Sequence, residues 1–64
     1  MKEQILKDIG DTVCVKDVYD NTKCMSGTIS MITVTKKGIK YRGLFDNSIV
    51  SRQQHDFWQD EIIK

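Results

Sequence analysis

The spacing of apolar residues along the chain changes once, near the start. Ile5, Leu6 and Ile9 sit at helical spacing and Gly10 follows as a stop signal. Residues 1–8 therefore read as a short helix or a frayed lead-in, since a segment of this length is helical only with packing to support it. From Asp11 the period becomes two. Val13 and Val15 alternate with Thr12, Cys14 and Lys16, which predicts a first strand over residues 12–19. Asp20-Asn21-Thr22-Lys23 is a turn on composition, because Asp and Asn side chains bond their own backbone and tolerate left-handed conformations. Residues 24–35 follow as a long strand rich in β-branched residues. Its parity slips: Gly27, Ile29 and Met31 share one face, whereas Ile32 and Val34 fall on the other. A strand that changes its apolar face midway bends or carries a bulge, which would let it serve two faces of a barrel.

Lys36-Lys37-Gly38 closes a hairpin, with Gly38 at the positive-φ position. A third strand over residues 39–45 carries Ile39, Tyr41 and Phe45 on one face and the cations Lys40 and Arg42 on the other. Asp46-Asn47-Ser48 is the next turn, and residues 49–52 make a fourth strand. Residues 53–64 admit two readings. They form a helix along which Phe57, Glu61 and Ile62 are suitably spaced, or one helical turn and then a short strand at residues 61–63.

Length changes the picture because 64 residues allow one domain, residues 1–64, with a barrel over 9–63 and a small core. A chain of this size buries only about 60% of its unfolded surface. It holds roughly 3–5 kcal/mol of net stability, so a staple or a partner is expected. The hydrophobic content of 39% against 30% charged residues is that of a globular chain. No apolar run approaches the ~20 residues a membrane helix requires. Charges interrupt the first seven residues, so no signal-peptide apolar region is present. The expected setting is cytoplasmic, with no membrane partner. A disulfide is not expected to be the staple. In the predicted hairpin Cys24 faces Tyr19 and Cys14 faces a residue near Ile29, about five strand positions apart and too far for a bridge.

Four or five short antiparallel strands in so few residues favour a small closed or nearly closed barrel, with short terminal helical turns. Three segments carry a resemblance. Ile9-Gly10-Asp11-Thr12-Val13-Cys14-Val15 is similar to the opening of SH3-like small barrels, Gly38-Ile39-Lys40-Tyr41 to their third strand, and Phe57-Trp58-Gln59-Asp60-Glu61-Ile62 to their closing segment. The pattern also resembles small proteins of bacteriophages and mobile elements, and Tudor- and KOW-like modules. The resemblance implies a mainly β, SH3-like antiparallel barrel. It implies no particular function, because this fold hosts many unrelated tasks. The Gly-rich signature of KOW modules after the first strand is lacking, as are the acidic loop and clustered aromatics of peptide-binding SH3 domains.

The candidate chemistry is thin. Cys14, Cys24 and His55 contain no Cys-x-x-Cys or His-x-x-x-His pair, so no metal site is expected, and His55 reads as an exposed histidine beside Asp56. No phosphate loop or dinucleotide fingerprint is present, and no cofactor is expected. Catalysis by a cysteine with His55 would need a pocket that excludes water, for which so small a barrel has little room. The expected protein is not an enzyme.

Charge supplies two binding candidates. Net charge is only +1. The middle of the chain is basic, with Lys16, Lys23, Lys36, Lys37, Lys40 and Arg42 against Asp17 and Asp20, and the ends are acidic. Lys36, Lys37, Lys40 and Arg42 converge on one hairpin and could meet phosphates, with Tyr41 or Tyr19 as a stacking platform. Tyr41, however, points away from Lys40 and Arg42 in a regular strand. The other candidate is the carboxyl segment Phe57, Trp58, Asp60, Glu61 and Ile62. Two adjacent aromatics in an extended segment cannot both face the core, so an exposed Trp58 rimmed by acids would resemble an interface hot spot; Trp58 could equally plug a barrel end. The leading expectation is a non-catalytic binding module, a phage-type accessory protein that binds another protein or itself as a homo-oligomer. The alternative is a nucleic-acid-binding barrel that uses the basic hairpin.

Overall fold

In a computed structural model that describes residues 4–63, the period-two stretches become four antiparallel strands. They are β1 (Thr12–Lys16), β2 (Cys24–Thr35), β3 (Gly38–Asp46) and β4 (Gln53–Trp58), and a single 3-10 turn, Gln59–Glu61, follows. The chain is mainly β, as its alternation predicts, and the strands form one open sheet in the order β1-β2-β3-β4. One backbone hydrogen bond reaches across the opening, from Ile63 N–H to the Cys14 carbonyl (2.7 Å).

Several local expectations are corrected. Residues 4–8 contain no helix, and residues 1–3 of the proposed amino-terminal helix lie outside the described residues. The first strand ends at Lys16 rather than at residue 19, because Asp17 closes the hairpin, its N–H donating to the Lys23 carbonyl (3.0 Å) and its Oδ1 accepting the Tyr19 N–H (2.8 Å). Cys24 therefore pairs with Lys16 and Cys14 with Ser26. The two cysteines become diagonal neighbours on one face, and Cys14 Sγ lies 3.3 Å from Ser26 Oγ. Residues 49–52 are not a strand. Asn47 Oδ1 accepts the N–H groups of Ile49 (2.9 Å) and Val50 (2.7 Å), and Val50 returns its carbonyl to Asn47 N–H, which closes a tight loop. Arg52 then turns at φ 56° and donates its N–H to Asp46 Oδ1. The fourth strand starts only at Gln53, within the segment read as helical.

The parity slip of β2 has an opposite outcome to the one expected. Ser30 is an extra residue between the pairs Ile29–Gly43 and Met31–Arg42, and its hydroxyl donates to the Arg42 carbonyl (3.2 Å). The bulge resets the phase, so Ile29 and Ile32 both face the core instead of serving two faces. Met31 is thereby turned outward, 47% exposed, away from the Ile29 face on which alternation had placed it.

The core lies on this one inner face. It comprises Val13 and Val15 from β1, Met25 and Ile29 from β2, Ile39, Tyr41 and Phe45 from β3, and Phe57 from β4, with Ile32 and Ile62 packed against it. Gly38 adopts φ 142° at the β2–β3 hairpin, a conformation that residues with a Cβ rarely adopt. No helix among the described residues is long and apolar enough to cross a membrane.

Candidate functional site

The alternation that buries Phe57 turns Trp58 to the outer face. The register then builds two rows across β2, β3 and β4: Thr33, Lys40 and Trp58 in one, Met31, Arg42 and Asp56 in the next. In the first row the Lys40 ammonium sits over the Trp58 ring, 5.3 Å from its centroid. In the second, Arg42 grips Asp56 with two bonds, Nε to Oδ1 at 2.9 Å and an NH2 nitrogen to Oδ2 at 3.3 Å. The Arg42 hydrogen bond is the main cause that holds the Asp56 carboxyl below the usual carboxylate range, and the same bond raises Arg42. A shallow depression of about 110 Å³ lies between these rows.

The sequence candidates thus sort into different places. Phe57 is buried and Ile62 is half-buried against the core, so both support the face rather than form it. Trp58 is half-buried on the outer face. Asp60 and Glu61 are exposed on the 3-10 turn, where Glu61 accepts the Trp58 N–H (3.3 Å). Of the basic group, Lys40 and Arg42 are engaged on the same outer face as Trp58, and Lys36 and Lys37 stand apart at the hairpin tip. Tyr41 is buried, stacks on Phe57 at 5.6 Å, and donates its hydroxyl to Gln59 Oε1. It offers no platform for a base. His55 is not an exposed histidine but is half-buried on the inner face, stacked on Phe57 (6.0 Å) and edge-on to Phe45 (5.8 Å). Among the described residues no three His, Cys, Asp or Glu side chains come together as metal ligands.

Sequence reasoning missed Asp17, which only 5% exposure leaves in the wall between two loops. Its Oδ1 accepts Tyr19 N–H (2.8 Å) and its Oδ2 accepts Ser48 N–H (2.9 Å), a link over 31 residues. The Tyr19 N–H bond is the largest influence and the Ser48 bonds add to it, so the carboxyl titrates below its ordinary value despite burial. Around this anchor Val18, Tyr19, Ile49 and Val50 are all exposed, an apolar end that alternation in the sequence does not signal.

A pH dependence follows from the direction of these shifts. Asp17, Asp20 and Asp56 all titrate below the usual carboxylate value in the folded chain, Asp20 chiefly through the Thr22 hydroxyl. In acid the unfolded chain binds more protons, so the stability they supply is present above about pH 4 and is lost as pH falls through their depressed values. Urea titrations should give a lower midpoint at about pH 3 than at neutrality. In Asp17→Asn the neutral midpoint should drop and its acid sensitivity should shrink; an unchanged acid slope would show that Asp17 does not carry the effect.

No protein-family model, curated protein or solved structure matches this chain.

Proposed function

We propose that this chain is a non-catalytic binding module that engages another protein through the outer face of β3 and β4 around Trp58. The observation that carries the reading is the placement of Trp58 beside Lys40, next to the Met31, Arg42 and Asp56 row. Tryptophan, methionine and arginine are the residue types enriched at protein interfaces, and Trp and Arg dominate their binding energy. Of the two cations of this face, Lys40 lies over the Trp58 ring and Arg42 is paired. Arg42 is neutralised by Asp56, which suits a protein surface better than a run of phosphates. The resemblance to SH3-like small barrels extends the proposal: the bent sheet would act as a small barrel of the phage or mobile-element type, an accessory protein whose function is its surface.

Affinity capture from cells that encode the protein, read by mass spectrometry with and without nuclease, tests the reading. A protein retained by the wild type, insensitive to nuclease and lost with Trp58→Ala is the expected outcome. Retention that disappears with nuclease and with Lys36→Ala/Lys37→Ala, but not with Trp58→Ala, would transfer the function to nucleic acid through the basic hairpin.

A further inference from the structure

We propose that the free edge of β4 is a strand-addition site for an extended segment of a partner protein that alternates basic and apolar residues. This deepens the protein-binding reading and rests on it. The ladder fixes which backbone groups are available. In an antiparallel pair, successive residues alternately bond the neighbouring strand and face away from it. Trp58 N–H bonds the Glu61 carboxylate (3.3 Å) and so faces away from β3. Two-residue alternation puts the N–H and C=O groups of Gln54 and Asp56 on the same outward edge. Both residues are exposed, and neither N–H meets another backbone group outside the ladder among the described residues.

The two ends of the sheet differ. On β1 the outward Cys14 carbonyl is taken by Ile63 N–H. On β4 three common protections of an edge are absent: Gln53–Trp58 contains no Lys and no Pro, and its pairing with β3 has no register shift. Edges of this kind accept an added strand through main-chain hydrogen bonds, and side chains at alternate positions supply the specificity.

Charge selects the occupant. Residues 53–63 carry Asp56, Asp60 and Glu61 and no Lys or Arg. Asp56 is shared with Arg42 and Glu61 with the Trp58 N–H, so the exposed Asp60 is the carboxylate most open to a cation from outside, with Glu61 beside it. Residues of an added strand on the outer face would lie beside Asp56 and Trp58, close to these acids, and favour Lys or Arg. Their alternates would lie beside His55 and the core residue Phe57, and favour small apolar side chains.

The probe is an end-capped synthetic peptide of alternating Lys and Val, added to the full chain and followed by amide hydrogen exchange in NMR. At saturation the Gln54 and Asp56 amides should slow, while those of Gln53, His55 and Phe57, which face β3, should not change. Gln54→Pro removes an N–H that β3 does not use, a substitution edge strands tolerate, and should weaken the peptide about tenfold. No binding, or binding with unchanged exchange at Gln54 and Asp56, overturns the proposal. So does protection that rises with protein concentration alone, which would make a second copy the occupant. A partner lost with Trp58→Ala while those amides stay unprotected removes strand addition but leaves the face; a partner indifferent to Trp58 removes the reading beneath it.

Discussion

Phe45→Ala is expected to leave the chain unfolded at room temperature. Phe45 is 1% exposed and stands at the centre of the aromatic cluster, edge-on to Phe57 at 5.3 Å and to His55 at 5.8 Å. Truncating a buried Phe to Ala costs about 3–5 kcal/mol, from lost transfer energy and the cavity that remains. A domain of this size holds only about 3–5 kcal/mol in total, so one substitution consumes the margin. Far-UV circular dichroism and amide dispersion in NMR should both report an unfolded chain. Phe45→Leu keeps most of the buried volume and should stay folded with a lower urea midpoint. A well-dispersed Phe45→Ala spectrum would falsify this account of the core.

Gly27→Ala has the second largest expected effect. Gly27 is the register partner of Phe45 and is buried. A Cβ there would overlap the Phe45 ring and stand 2.5 Å from the Leu44 carbonyl oxygen. Displacing the ring has a moderate cost, but the carbonyl is part of the β3 backbone and moves only with the β2–β3 ladder. Overpacking of this kind costs about 1–3 kcal/mol, and the backbone contact puts Gly27 at the upper end. The urea midpoint should fall sharply while the slope of the transition is kept. Because the methyl and the ring compete for one space, Gly27→Ala should cost less in a Phe45→Leu background than in the wild type. Equal costs in the two backgrounds would show that the ring is not what the methyl meets.

These two residues also mark how far the chain is legible. Period-two alternation over residues 12–19, 24–35 and 39–45 predicts three strands, the first too long by three residues, and the inner positions Val13, Val15, Ile39, Tyr41 and Phe45, because burying one face of a sheet selects every second residue. Glycine and Asx chemistry likewise mark the turns at residues 20–23 and 36–38. The fourth strand is not legible. Gln53-Gln54-His55-Asp56 has little apolar alternation, and it becomes a strand because its pairing with β3 sets His55 and Phe57 beside Phe45. Ile49 and Val50 look like a better strand, yet the Asn47 side chain captures their N–H groups and bends them into a loop.

The candidate face follows the same division. That Trp58 and Phe57 lie on opposite faces is dictated by their adjacency in an extended segment. That Trp58 meets Lys40, and Arg42 meets Asp56, depends on the β3–β4 register, which no local pattern encodes. The sequence alone therefore determined a small, mainly β chain with its inner residues on β1 and β3 and an uneven charge map, since these depend on period and composition. The tertiary structure alone decided the phase of β2 beyond the Ser30 bulge, the site of β4, the burial of Asp17 and the pairing of the charges. Each of these is a contact between residues distant in sequence. Their free energy arises only when strands are brought side by side, which is why Lys40 and Arg42 ended on the same face as Trp58.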